Sequence, residues 1–229
     1  MHRKLKPISQ NSKKQISTFW NYVKKNEQEI YNGLLLGIRY EAVLVQFYKK
    51  LKPISTVMFF LIKIPVNDQE KHRFIFCCRG YRRIHSKAIA LAEQIPPLAF
   101  FTAQAFVSAY EDLSDFKNGT DTPLEFGAYE IRVSEMCMAL EDYDIARKKL
   151  KINIYLPHYN EIKEYKNMEY DIHLHVMLIL GEIAFYKHIA AIHLYPMPLE
   201  PSGLLPLVEL PDLIAHLYQI NSRKRTRLI

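Results

Sequence analysis

The sequence predicts an α+β protein. Two N-terminal helices open it, two strand–strand–helix–strand units follow, and a C-terminal helix closes it. Three observations carry this. Apolar residues recur at helical spacing up to residue 51, and beyond residue 55 the period shortens to that of strands. The stretch "KKLKINIYLP" alternates strictly, with Leu150, Ile152, Ile154 and Leu156 on one face and Lys149, Lys151, Asn153 and Tyr155 on the other. The pattern of residues 55–107 recurs over 124–197, which reads as a duplication although residue identity between the two is weak. Helices laid over a largely antiparallel sheet complete the arrangement.

The elements follow in order. The first helix starts at Ser17 or Thr18, both good caps, places Phe19, Trp20, Val23, Ile30 and Leu34 on or near one face, and ends at Gly37. A second carries Val43, Phe47 and Leu51 until Pro53 stops it. "STVMFFLIKIP" is apolar on both faces, as a central strand is. With "HRFIFCCRG" it forms a hairpin over 55–79. "YRRIHSKAIALAEQ" is helical, and "IPPLAFFTAQAFV" returns to strand. The turn-rich "SAYEDLSDFKNGTDTP" is the best internal boundary. After it come a long strand, "FGAYEIRVSEMCMAL", the alternating strand, the helix "DIHLHVMLILGEIAFYKHI", the strand "AAIHLYPMP" and the helix "LVELPDLIAHLYQ".

The chain has 229 residues and a formal charge of +7. Residues 1–14 hold five basic residues and no acid, and residues 221–229 hold four and none. The remaining body, 15–220, therefore has 22 basic against 24 acidic residues. The sequence thus predicts two basic tails, 1–14 and 221–229, flanking one neutral domain of 15–220. Such tails can hold nucleic acid weakly through phosphates; solvated ends are the commoner outcome. Three cysteines, Cys77, Cys78 and Cys137, two of them adjacent, are no disulfide framework, which points to reduced thiols and a cytoplasmic protein. The N-terminus has no apolar core of a signal peptide.

The segment 170–198 holds His173, His175, His188 and His193 in a long apolar run. Charges and histidines interrupt it too often for a membrane span. On a helix His173 and His175 point apart, so they do not chelate a metal together, and no metal or other cofactor is expected. The carboxylates Glu135, Glu141, Asp142 and Asp144 could form a glycosidase-like pair, but a solvated hairpin turn explains them more simply. No GxSxG, Walker-type loop, GxGxxG or CxxC is present, and no catalytic residue is assigned.

One stretch carries a candidate site. "CCRGYRRIHSK" runs from strand through Gly80 into a helix, where Arg79, Arg82, Arg83 and His85 could bind an anion or an acidic partner. A charged loop with arginine stems along the sheet edge is the structural alternative.

The opening "FWNYVKKNEQEIYN" resembles the start of a family of uncharacterised bacterial proteins, through Phe19, Trp20, Asn26, Glu27, Ile30 and Tyr31. "QIPPLAFFTAQAF" and Leu180-Gly181-Glu182 resemble further elements of that family. Its members carry PxxW where this chain reads Pro97-Leu98-Ala99-Phe100. The resemblance implies a soluble α+β protein and no particular activity. Glu27 lies two turns beyond Trp20 on the same stripe, so the signature reads as structural: Trp20 buried, Glu27 bonded to another element.

The favoured function is a non-catalytic soluble binding protein (an adaptor, regulator or immunity-type protein) with another protein as partner and no membrane. An enzyme with an anion site near residues 79–85 is the alternative. Nucleic-acid binding through the tails is the third.

Overall fold

A computed structural model describes residues 7–226, apart from positions 66 and 68, with side chains as far as residue 219. The body expected at 15–220 divides into two compact units, Met1–Val107 and Ser108–Ile229. The division falls at the start of the turn-rich segment.

In the first unit three helices precede the sheet: α1 (Gln10–Lys25), α2 (Glu27–Leu36) and α3 (Tyr40–Leu51). The sequence predicts two. Helix α1 begins about two turns earlier than expected, because Ser9 caps it by accepting a hydrogen bond from the Ser12 N–H. Residues 10–14, expected in a tail, are therefore helical, with Ser12 buried. Arg3, Lys4 and Lys6 lie outside the described residues. The expected single helix breaks at Asn26, whose N–H and Nδ2 both donate to the Tyr22 carbonyl. Gly37 ends α2 with φ 73°, the left-handed cap glycine supplies at low cost. Gly33 brings α2 close to α3: a Cβ there would lie 2.5 Å from Val43 Cγ2.

The first sheet has the order β1–β2–β3, with β1 (Phe59–Lys63) antiparallel to β2 (His72–Cys77). Helix α4 (His85–Glu93) crosses over to β3 (Phe101–Ala105), which runs parallel to β2. The expected hairpin forms, but β1 is an edge strand, not a central one; β2 is central and carries the four-residue buried run Phe74–Cys77. The core joins Ile16, Phe19, Trp20, Phe47, Phe74 and Phe76 among others. Edge-to-face contacts link Phe19 to Phe47 and to Phe76, at 5.2 and 6.0 Å.

Of the residues noted in the opening stretch, Phe19, Trp20 and Ile30 lie in this core and Tyr31 packs against it. Trp20 is 3 % exposed and its Nε1 donates to the Leu91 carbonyl on α4 at 2.8 Å. Glu27 Oε1 accepts the Phe100 N–H at 2.7 Å, and Tyr31 packs on the Phe100 ring at 4.6 Å. A carboxylate opening α2 also suits the helix dipole.

The second unit opens with α5 (Ser114–Asn118) and a hairpin of β4 (Leu124–Phe126) and β5 (Tyr129–Ile131). The sequence reads 126–140 as one long strand. Gly127, at φ 65°, turns the chain, and a short 3-10 helix, Val133–Glu135, separates β5 from β6 (Cys137–Asp144). Strand β6 pairs antiparallel with β7 (Lys149–Leu156). The chain then passes through α6 (Tyr159–Ile162), α7 (Met168–Leu180) and α8 (Glu182–His188) to β8 (Ile189–Pro196), which runs parallel to β7. Gly181 (φ 76°, ψ 149°) splits the single helix expected there. The short β9 (Leu205–Pro206) pairs with β6, giving the order β8–β7–β6–β9. Helix α9 (Leu210–Thr226) continues into the segment expected as a basic tail; the side chains of Arg223, Lys224 and Arg225, and Arg227 entirely, lie outside the described residues.

Leu150, Ile152, Ile154 and Leu156 are all fully buried. Their neighbours Lys149, Lys151 and Asn153 are half-buried where the alternation predicts full exposure. Lys149 explains the difference: its Nζ donates to the Tyr186 and Ile189 carbonyls at the end of α8. Both units share the strand–strand–helix–strand order, at 59–105 and 137–196. The second alone adds the β4–β5 hairpin and β9. Among the described residues no helix is long and apolar enough to cross a membrane.

Candidate functional site

The four residues of the expected anion cluster do not converge. Arg79 and Gly80 form the centre of a tight turn, with φ 48° and 73° and a 2.9 Å bond from the Tyr81 N–H to the Cys78 carbonyl. Two left-handed residues in succession make a type I′ turn. Glycine adopts this freely, whereas an arginine there is held against about 1–2 kcal/mol. The turn carries the Arg79 guanidinium over the Phe59 ring, 4.7 Å from its centroid. Arg83 stands off the Tyr81 ring at 5.6 Å. His85 lies against Phe106, with the ring centroids 4.8 Å apart. Burial, seconded by the charge of Arg82, lowers its pKa below the ordinary histidine value, so at neutral pH it is no cation.

What Arg79 joins is a different set. Helix α3 buries Val43, Phe47 and Leu51 and turns Val45, Tyr48, Lys49 and Lys52 outward. After Pro53 the chain runs back into β1. Between the end of α3, the start of β1 and the Cys78–Tyr81 turn lies an open trough of about 670 Å³. Lys49, Lys52 and Arg79 line it, with Val45, Tyr48 and Tyr81 supplying apolar and aromatic surface. Its lining includes no carboxylate among the described residues. Val45 is 62 % exposed, Tyr81 45 % and Tyr48 37 %. Burial holds the Tyr48 hydroxyl above the usual tyrosine range, against opposing pulls from the Phe60 backbone and Arg79. It therefore stays a neutral hydrogen-bonding group. Three cations around an uncharged aromatic floor create a positive field that selects acidic groups, while the Arg79–Phe59 contact keeps one cation on a fixed ring.

Sequence reasoning found Arg79 and missed Lys49 and Lys52. The available signal was the α3 stripe opposite Val43 and Phe47, where an exposed valine and tyrosine accompany the lysines.

The other candidates resolve locally. His173 and His175 hydrogen-bond through Nδ1 to the carbonyls of Glu169 and Asp171, four residues back on their own helix. His193 meets Glu141 at 2.8 Å across the outer face of the second sheet. Asp142 pairs with Lys151, Asp144 with Arg147, and Glu135 accepts the Arg132 N–H. Of the hairpin-turn residues expected, Asp144 closes the β6–β7 hairpin and accepts the Arg147 N–H of its turn; Glu141 and Asp142 lie further inside β6, and Glu135 in the 3-10 helix before it. Among the described residues no three metal-ligating side chains gather.

His188 is 6 % exposed, with the Tyr218 hydroxyl 3.2 Å from its Nδ1. Burial first, then Lys187 and the neighbouring Lys148 and Lys149, lower its pKa. A neutral histidine in the fold that takes a proton when unfolded favours unfolding in acid. Stability is thus expected to be complete above the ordinary histidine pKa of about 6.5 and to fall as pH drops below it. Urea unfolding at neutral and mildly acidic pH should show this loss, and His188→Asn should reduce it. An equal loss in the variant would assign the pH dependence elsewhere.

No protein-family model matches the chain, and neither a curated protein nor a solved structure shows detectable similarity to it. The trough therefore rests on its own chemistry.

Proposed function

We propose that the protein is a non-catalytic interaction protein that docks an acidic segment of another protein in the trough of its first unit. One observation carries this reading: Lys49, Lys52 and Arg79 share an open aromatic hollow without a lining carboxylate. Aromatic and arginine side chains at the centre of a patch are those that dominate protein interfaces. The hollow is broad and open, a shape suited to a chain segment laid along it. A cytoplasmic location goes with the reading, supported by Cys77, Cys78 and Cys137 forming no disulfide with one another.

The test uses a fluorescent peptide of alternating Glu and Tyr residues, titrated with the full-length protein. The double variant Lys49→Glu/Lys52→Glu should weaken binding at least ~10-fold, the scale of losing two charge contacts. Its melting temperature should hold, since both side chains are exposed. Undiminished binding by the variant removes the trough as the docking site.

A further inference from the structure

The α3 surface beside the trough has an unusual internal symmetry. Glu41, Val45, Tyr48 and Lys52 follow at spacings of four, three and four, so they form one exposed stripe down the helix. Val45, at its centre, is the most exposed large apolar residue of α3. At about 100° per residue, Glu41 and Lys49 stand roughly equal angles to either side of Val45, one turn before and one turn after it. Ala42 and Tyr48 are related in the same way, three residues before and after. Each pair matches in kind: acid with base, small with large. A helix dipole accounts for an acid in the first turn and lysines in the last. It does not account for an exposed valine midway or for a tyrosine balanced by an alanine.

Two hollows flank Val45. One is the trough; the other, of about 620 Å³, lies toward Glu29, Arg39 and Glu41, and Val45 lines both. Leu36, Ile38 and Tyr40 extend the exposed apolar surface at the α2–α3 corner, at 59, 54 and 46 % exposure. Exposed apolar residues near one another mark an interaction surface.

We propose that the occupant of this face is a second copy of the chain, its α3 packed antiparallel on α3 about a two-fold axis at Val45. This rests on the docking reading above and names its partner. A two-fold interface must be self-complementary, each patch meeting its own copy. The axis sets Val45 against the partner's Val45. It brings Ala42 to the level of the partner's Tyr48. Glu41 comes to the height of the partner's Lys49 on the opposite flank of the valine pair, and on its own flank within about one turn of the partner's Lys52. The acidic group that enters each trough is thus Glu41 of the other copy. Leu36 and Ile38 are then drawn in toward the lysine end of the partner helix.

Sedimentation velocity of the full-length protein, at loadings up to roughly 100 µM, tests this. The wild type should form a dimer that weakens at least ~10-fold in Glu41→Lys and in Lys49→Glu/Lys52→Glu, where like charges face each other. Combining the three substitutions restores the opposite-charge pairing and should restore the dimer. That rescue is not expected from a structural defect, since all three positions are solvent-exposed. A wild type that is monomeric throughout overturns the proposal, as does a dimer indifferent to these substitutions. The Glu-Tyr peptide separates the two readings: a monomer that binds it through Lys49 and Lys52 sinks the dimer and leaves acidic docking standing, and a monomer that ignores it sinks both.

Discussion

Trp20→Ala is expected to destabilise the first unit by about 3–5 kcal/mol, the range for deleting a large aromatic from a packed core. Trp20 is 3 % exposed, 5.0 Å from Phe19 and 5.9 Å from Phe76 by ring centroids. Removing it opens a cavity between α1 and the sheet and strips the Leu91 carbonyl of its donor. Trp20→Phe separates these terms. It refills most of the volume and still leaves the carbonyl unpaired, which costs about 1–3 kcal/mol. Urea unfolding followed by circular dichroism reads both variants, and native Trp20 fluorescence should be blue-shifted. A loss below about 1 kcal/mol for Trp20→Ala would mean that the indole is not a core member.

Ile152→Ala should cost about 2–5 kcal/mol in the second unit. Strand β7 is flanked on both sides, by β6 and β8, and Ile152 is fully buried at its middle. Neighbouring sheet and helix residues cannot collapse far into the space left. Lys151→Ala is the matched comparison one residue away. Its salt bridge to Asp142, at 3.4 Å between half-exposed side chains, is worth about 0–1 kcal/mol. Similar losses for the two variants would contradict the register in which Ile152 faces the core.

Which features the sequence revealed depends on whether local or tertiary physics decides them. The alternation of β7 was legible because burial of one sheet face imposes a period of two on neighbouring residues. Gly37 was legible as a helix end because a left-handed cap is a local demand. The start of α1 was not, since Ser9 and Ser17 are equally good caps; the buried face of Ser12 and Ile16 decides between them, and flanking lysines hide it. The apolar β1 read as central. It is an edge strand whose Phe59 is covered by the Arg79 guanidinium instead of a second strand or helix layer. Likewise Gly181 breaks a helix within residues 176–185, apolar but for Glu182, where periodicity gives no sign of an interruption.

The same distinction governs the site. Arg79, Arg82, Arg83 and His85 drew attention as one cluster because they are close in sequence. The turn at Gly80 sends Arg79 toward α3, and the 3-10 helix Arg82–Ile84 leads the others away from the trough. Lys49 and Lys52 become its neighbours only when α3 packs beside the start of β1. Glu27 was legible further: two turns beyond a buried tryptophan, a carboxylate needs a donor from another element, and the Phe100 N–H supplies it. Asn26 belongs to the same signature for a local reason, closing α1 onto the Tyr22 carbonyl.

The docking of acidic groups at the trough is the central claim, and amide chemical shifts of the isotope-labelled full-length protein report on it residue by residue. Titration with the Glu-Tyr peptide is predicted to move the resonances of Lys49, Lys52, Arg79 and Tyr81 together and saturably, with those around His173 and His193 unmoved. Shifts confined to the second unit, or none at Lys49, Lys52 and Arg79 at saturating peptide, would contradict the account.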